Sequence, residues 1–375
     1  MKKQTLFAVA SGSGGHILPA LVVASKWHQK HKNSSVVFCT GISELDKKIL
    51  DSYPFITKIH HFGIHKFIPK KIWLYPKIAL QVACGFLKSF CLILKYKPTT
   101  IISTGGLIAI PLCFAARIFG SRVEIYELNV IPGKAVKMLM PLAHVIYAPF
   151  DTTKKNCRFL GINFGHKCQT CDYPIRFTEQ DKIQEKKEIL KFEATRKTIF
   201  LLGGSQGSKM LNNALKDFLQ TTSPKNLQSI QVIHQTGNLE SFETNTCSQP
   251  TPVRGYGGQA SAAQAGQNKQ IEWTEFYQKL GIPAITFSYH EHIQDFYNQA
   301  DLIICRAGAG TIFEGAFFGK PCIIIPLVTN STTHQVDNAR EITKQYPHVF
   351  TMIEQKTVIS QTIIFNKIIL EKLNI

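Results

Sequence analysis

Between Ser52 and Val123 the chain has no aspartate or glutamate, yet the same stretch carries ten Lys/Arg among many Phe, Ile, Leu, Trp and Tyr. Residues 1–124 hold 17 Lys/Arg against four acids, a net +13 of the chain's total of +18. So large a one-signed charge calls for an anionic partner, and its interleaving with aliphatic and aromatic residues fits a lipid surface better than a nucleic-acid groove. Long apolar runs are lacking as well. No uninterrupted stretch reaches the ~20 residues that span a bilayer, and five apolar residues from Leu6 to Ala10 are too few for a signal-peptide core. The ten cysteines show no framework of paired spacings, which excludes a disulfide scaffold and points to a reducing cytoplasm. Cys168-Gln169-Thr170-Cys171, with His166 close by, has the spacing of half a zinc site; without a second pair it reads as two loop thiols.

What is present is the composition of a folded protein. Hydrophobic residues make up 44% and charged residues 18% of 375, with 25 Gly and 17 Pro, so neither disorder nor a fibrous repeat fits. At about 150 residues per domain the length predicts two domains. Residues 4–10 form a short apolar run that ends in glycines, and 17–29 have helical spacing. Further β-rich runs at 36–39, 100–103, 123–126 and 144–148 alternate with helical patterns, which predicts a parallel sheet covered on both faces. The pattern restarts at 198–202, followed by Gly203-Gly204-Ser205-Gln206-Gly207, a helix over 208–219, and strands at 231–234, 284–287, 302–305 and 322–325. The fold class is therefore α/β, with two Rossmann-like domains over 1–165 and 166–375. Residues 245–272, rich in Gly, Pro, Gln, Ala and Ser, read as a mobile insertion on the second domain.

Three strand-to-helix turns are built from small residues: Ser11-Gly12-Ser13-Gly14-Gly15-His16, the 203–207 loop, and Arg306-Ala307-Gly308-Ala309-Gly310-Thr311. Such turns let backbone amides at a helix N-terminus approach a phosphate or a hydroxyl-rich group. The first lacks the Gly-Lys-Ser/Thr of a nucleoside-triphosphate loop, and no acidic residue about 20 positions on completes a dinucleotide fingerprint. Thr311 and Glu314 have the spacing of a capping box; the functional alternative is a carboxylate that accepts both hydroxyls of a ribose.

Seven motifs stand in order: Gly-Ser-Gly-Gly-His-Ile-Leu-Pro-Ala (12–20), Gly-Gly (105–106), Glu-Leu-Asn-Val-Ile-Pro-Gly (127–133), Gly-Gly-Ser-Gln-Gly-Ser (203–208), His-Gln-Thr-Gly (234–237), Cys-Arg-Ala-Gly-Ala-Gly-Thr (305–311) and His-Gln-Val-Asp-Asn-Ala (334–339). Together they resemble the MurG family, bacterial glycosyltransferases that act on a lipid-linked peptidoglycan precursor. The resemblance implies a GT-B fold, with two parallel sheets facing across a cleft, the undecaprenyl-linked acceptor on the first domain and UDP-N-acetylglucosamine on the second. It also implies residue roles. Ser13, Gly14, Gly15 and His16 would meet the donor sugar and acceptor pyrophosphate, Asn129 the donor sugar, and Arg176 the donor. Ser205 and Gln206 would meet the diphosphate, the backbone near His290 the uracil, Ala309, Gly310 and Thr311 the phosphates, Glu314 the ribose and Gln335 the sugar hydroxyls. His16, with an intrinsic pKa near 6.5, is the candidate general base. No cofactor is implied, although a divalent ion assisting the diphosphate stays open. Ser13, Leu128 and Tyr173 depart from the family's usual Thr, Gln and Asn.

Residues 76–95 read as one helix with Lys77, Gln81, Cys84, Lys88, Cys91 and Lys95 on a narrow stripe and apolar residues around the rest. With Lys66, Lys70, Lys71 and Lys97 this fits a peripheral helix on the cytoplasmic face of the membrane; an ordinary domain helix with a lysine edge is the alternative. Two enzyme alternatives share the second-domain loops: a GT-B enzyme acting on another lipid, such as diacylglycerol, and a UDP-sugar epimerase. A non-enzymatic membrane or nucleic-acid binder is the third, and no nucleic-acid motif is visible.

Overall fold

The computed structural model describes residues 4–11, 14–42, 44–63, 75–182, 192–204, 207–237, 270–288, 290, 292–329 and 334–375. The chain forms two compact units, Met1–Arg176 and Phe177–Ile375. The first is built on a seven-stranded sheet. In chain order its elements are β1 (Gln4–Val9), α1 (Gly14–Lys30), β2 (Ser34–Thr40), α2 (Glu44–Asp51), β3 (Ile56–His61), α3 (Tyr75–Tyr96), β4 (Thr100–Ser103), α4 (Ala109–Ile118), β5 (Arg122–Tyr126), α5 (Lys134–Leu139), β6 (Val145–Ala148), α6 (Thr153–Asn156), a two-residue hairpin β7 (Arg158–Phe159) and β8 (Ile162–Asn163), and β9 (Cys168–Thr170). The order β3-β2-β1-β4-β5-β6-β9 is parallel throughout.

Alternation along β1 explains the two-faced core. Phe7 and Val9 join Leu112, Ala115 and Ala116 of α4 on one face, while Leu6 and Ala8 meet Ile17, Ala20, Leu21 and Ala24 of α1 on the other. All of these are buried, at roughly 1.5–3 kcal/mol for each large aliphatic side chain.

The second unit repeats the plan: α7 (Glu179–Lys182), β10 (Lys197–Leu202), α8 (Lys209–Thr221), α9 (Pro224–Leu227), β11 (Ile230–Gln235), α10 (270–279), β12 (Ala284–Phe287), α11 (Ile293–Gln299), β13 (Leu302–Cys305), α12 (Ala309–Phe318), β14 (Cys322–Ile324), α13 (His334–Gln345), β15 (Phe350–Met352), α14 (Gln355–Ser360) and α15 (Thr362–Leu373). Its sheet order, β12-β11-β10-β13-β14-β15, is again parallel. In both sheets the strand order reverses beside the first strand, at β1/β4 and at β10/β13, where open α/β sheets bind ligands at the strands' carboxyl ends.

Two expectations need correction, and a third falls almost wholly outside the described residues. The domain boundary moves from 165 to 176, because β9 hydrogen-bonds to β6 and carries residues 166–176 with the first sheet. The insertion expected over 245–272 lies outside the described residues up to 269, and 270–272 begin α10. The strand reading also omitted β3, β9 and β15, all edge strands of the two sheets: in β3, Lys58, His60 and His61 hide the apolar signal.

Candidate functional site

In the first unit the site is assembled where β1, β4 and β5 end. Gly14 and Gly15 open α1, and His16 follows in its first turn. Its Nδ1 lies 2.8 Å from the Thr104 carbonyl, and Thr104 Oγ1 donates back to the His16 carbonyl at 2.9 Å. A carbonyl only accepts, so Nδ1 carries the proton and, in the neutral ring, Nε2 carries the lone pair. This reciprocal pair spans the β1/β4 switch point and holds the imidazole in one orientation. Gly106, at φ +98°, packs against Ser11, whose Oγ a Cβ there would overlap. Ser13 lies outside the described residues.

Asn129 follows β5 and is held by a buried carboxylate. Glu127 Oε1 accepts from the Asn129 N–H (2.8 Å) and Nδ2 (3.1 Å), while Oε2 accepts from the Gly133 N–H (2.9 Å). Burial pushes the Glu127 pKa up, opposed by these hydrogen bonds. Thr153 of α6 donates to the Asn129 carbonyl at 3.1 Å, which fixes the loop from the other side. Leu128 and Tyr173 are buried, so these two departures from the family pattern lie inside the unit. Arg176 is half-buried at the last position of the unit. Among the described residues no three His, Cys, Asp or Glu side chains converge as a metal requires. Cys168 is buried in the core, and burial pushes the Cys171 thiol up to about 11.

In the second unit the glycine loops meet at the β10/β13 switch point, and a residue without an assigned role ties them together. Arg306, 7% exposed, donates from Nε (3.1 Å) and Nη2 (2.9 Å) to Ser208 Oγ, and from Nη1 to Gln355 Oε1 (2.9 Å) and the Ile325 carbonyl (3.3 Å). Ser208 is the N-cap of α8, so one guanidinium couples the end of the 203–207 loop to the start of the 306–308 loop. An arginine directly after a four-residue buried strand was the available signal for it. Gly207, at φ +77°, sits against the Thr236 backbone with no room for a Cβ. Ser205 and Gln206 lie outside the described residues.

Under this loop lies a buried polar chain. Tyr277 OH is 2.9 Å from His234 Nδ1, His234 Nε2 is 3.0 Å from Asn212 Oδ1, and Asn212 Nδ2 donates to the Thr236 carbonyl at 3.4 Å. Asn212 Oδ1 can only accept, so Nε2 carries the proton and the tyrosine donates to Nδ1. Desolvation lowers the His234 pKa to about 3, so it is a neutral structural histidine.

Ala309, Gly310 and Thr311 form the first turn of α12, whose N-cap is Gly308 with no side-chain cap. That corrects the capping-box reading of Thr311 and Glu314: the helix begins two residues before Thr311. Glu314 is instead bonded to Tyr297 OH at 2.9 Å. In α13, Gln335 Oε1 accepts from the Leu327 N–H (2.9 Å), and buried Asn338 donates to the Ala307 carbonyl (3.3 Å). His290 is half-buried against Phe296, with ring centroids 4.5 Å apart.

The basic helix is α3. Lys88 and Lys95 are exposed, whereas Lys66, Lys70 and Lys71 lie outside the described residues, as does the Lys77 side chain. Leu92 and Ile93 are buried, but Leu80 (66%), Leu87 (68%) and Leu94 (52%) face outward in a row beside the lysines, joined by Phe114, Ile118 and Phe119 around α4. The apolar circumference is thus divided between core and surface. No described helix is long and apolar enough to cross a membrane.

Comparison with known proteins agrees with this layout. The model of the glycosyltransferase family 28 N-terminal domain matches residues 6–148, and that of the family 28 C-terminal domain matches 258–368. UDP-N-acetylglucosamine--N-acetylmuramyl-(pentapeptide) pyrophosphoryl-undecaprenol N-acetylglucosamine transferase of Francisella tularensis (strain SCHU S4) is 31% identical over 343 residues, 91% of this chain and 82% of the relative. The enzyme of the same name from Trichlorobacter lovleyi is 27% identical over 350 residues, 91% and 83% of the two chains. Among solved structures, Acinetobacter baumannii MurG superimposes with a TM-score of 0.63 at 20% identity, covering 99% of this chain and 91% of that one. A putative UDP-N-acetylglucosamine 2-epimerase from Listeria monocytogenes gives 0.60 at 10% identity, with 100% and 88% covered, and shares the fold alone. With both domain models matched in order and a relative above 30% identity over 91% of the chain, the chain belongs to glycosyltransferase family 28.

Proposed function

We propose that the protein transfers N-acetylglucosamine from UDP-N-acetylglucosamine to an undecaprenyl-pyrophosphoryl-N-acetylmuramoyl-pentapeptide acceptor, the lipid I to lipid II step of peptidoglycan synthesis. The observation that carries the reading is the 31% identity, over 91% of the chain, to transferases named for that reaction. The geometry supports it. Each sheet presents glycine turns at its switch point, and the α12 N-terminus, uncapped by any side chain, supplies amides and a positive dipole end for the donor diphosphate. Glu314 takes the ribose, Gln335, Asn129 and Arg176 the sugar end, Ser205 and Gln206 the diphosphate, and the backbone near His290 the uracil. Gly14, Gly15 and Ser13 cradle the acceptor pyrophosphate.

In the chemical step the acceptor hydroxyl oxygen bonds to the sugar's anomeric carbon as the bond to UDP breaks. The hydroxyl proton passes to His16 Nε2, and UDP leaves with the electron pair. One in-line displacement turns the donor's α-linkage into β. Backbone amides and the helix dipole take up the leaving-group charge in this scheme, with no cofactor assigned a part. In this reading the enzyme sits peripherally on the anionic cytoplasmic face of the membrane, where the acceptor is embedded, and the exposed leucine row of α3 beside Lys88 and Lys95 supports it. Incubation with UDP-N-acetylglucosamine, with and without a short-chain lipid I analogue, tests the reading. UDP release should require the acceptor; no release, or N-acetylmannosamine nucleotide formed without acceptor, overturns it.

A further inference from the structure

We infer that Tyr297 is a positioning residue of the donor site: its hydroxyl donates to Glu314 Oε2 and holds that carboxylate where it accepts the two hydroxyls of a ribose. The inference rests on the reading of Glu314 as the ribose acceptor and names the group that makes it specific.

Glutamate has three side-chain torsions, and Glu314 stands on the half-buried face of α12. Left to itself such a carboxylate samples several rotamers and must be ordered when a ligand arrives. Here it is bonded at 2.9 Å to a phenol that cannot move. Tyr297, 1% exposed on α11, stacks on Phe318 of α12 with ring centroids 4.8 Å apart and planes 3° from parallel. Phe200 of β10 meets its edge at 5.4 Å and 78°, and Phe177, the first residue of the unit, at 6.1 Å and 67°. The ring is therefore fixed by the sheet and by both flanking helices. A phenolic hydroxyl beside a carboxylate can only donate, and it takes one of the about four lone-pair directions of an ionised carboxylate. The hydrogen bond is charge-assisted, the stronger kind. Since α12 is capped by Gly308 and Glu314 takes no part in a capping box, the bond's evident consequence is to orient the carboxylate.

The discriminating experiment measures binding of UDP and of 2′,3′-dideoxyuridine diphosphate by calorimetry, with transfer kinetics, for the wild type, Tyr297→Phe, Glu314→Ala and the double variant. Phenylalanine keeps the stacking, so Tyr297→Phe should fold, which a melting curve checks. We expect Tyr297→Phe to weaken UDP about five- to twentyfold, to leave the dideoxy nucleotide within about twofold, and to raise the donor KM with kcat unchanged. The double variant should bind UDP no more weakly than Glu314→Ala alone. Weakened UDP binding in Glu314→Ala but not in Tyr297→Phe overturns the tyrosine's role and leaves the donor reading standing. Equal weakening of both nucleotides in Tyr297→Phe also overturns it, as a general disturbance of the fold. UDP binding unchanged in Glu314→Ala removes Glu314, and Tyr297 with it, from the donor site.

Discussion

His16 and His234 show how one residue type takes opposite parts according to its partners. His16 is half-buried, and the Thr104 carbonyl accepts from its Nδ1, which fixes the tautomer with the proton on that nitrogen. If it is the base, His16→Ala lowers kcat by roughly 10² to 10⁴ while UDP affinity, measured by calorimetry, stays within about twofold. Wild-type turnover in that variant would rule it out. His234 is buried between Tyr277 and Asn212 and stays neutral, with its pKa lowered to about 3. A histidine that titrates near 6.5 when unfolded and near 3 when folded contributes stability that is complete above about pH 6.5 and is lost progressively on acidification toward pH 3. At pH 5 the loss amounts to about 2 kcal/mol. Its ring nitrogen shifts in NMR should therefore stay constant from pH 8 to 5, with the proton on Nε2; an inflection near pH 6.5 would contradict the assignment.

At the level of elements, the two switch points are each tied by one side chain that crosses between neighbouring strand ends: His16 to Thr104 in the first sheet, and Arg306 to Ser208 in the second. Ser208→Ala removes both the α8 cap and the acceptor of a buried guanidinium, and should cost about 1–3 kcal/mol in denaturant melts while raising the donor KM. A loss below about 0.5 kcal/mol would mean that Arg306 finds another partner. Most strands were legible because β1, β4, β10 and β13 are short apolar runs followed by small residues, as strands buried on both faces of a parallel sheet are. β3 was not, since an edge strand tolerates Lys58 and two histidines. Of the candidate site, the glycine turns and Glu314 as a possible ribose acceptor could be read from residue order, and the family resemblance added His16, Asn129, Arg176 and Gln335. Glu127 and Arg306 stood inside the seven motifs, but their supporting roles, like that of Tyr297, were not read: Arg306 and Tyr297 depend on partners 98 and 17 positions away that folding brings near. The capping box at Thr311 failed for a local reason: α12 starts at Ala309 after a glycine, and spacing alone cannot locate a helix start.

For the whole molecule, the surface charge and the exposed leucines make separable demands. Replacing Lys77, Lys88 and Lys95 with Glu should remove the salt-sensitive part of binding to anionic liposomes, each lysine contributing about 1 kcal/mol near the surface. Replacing Leu80, Leu87 and Leu94 with Ser should remove the salt-insensitive part and leave the melting temperature unchanged, because all three are exposed. Co-sedimentation across salt concentrations separates the two, and undiminished sedimentation in both variants would make α3 an ordinary domain helix. Turnover of a water-soluble acceptor should survive in either variant. The measurement that bears most directly on the central claim is the proton NMR spectrum of the product formed from UDP-N-acetylglucosamine and a lipid I analogue. A disaccharide with the new N-acetylglucosamine β-linked to the acceptor sugar, formed with one equivalent of UDP, is the predicted result; an α-linked product, or a nucleotide sugar altered without any transfer, would contradict the account.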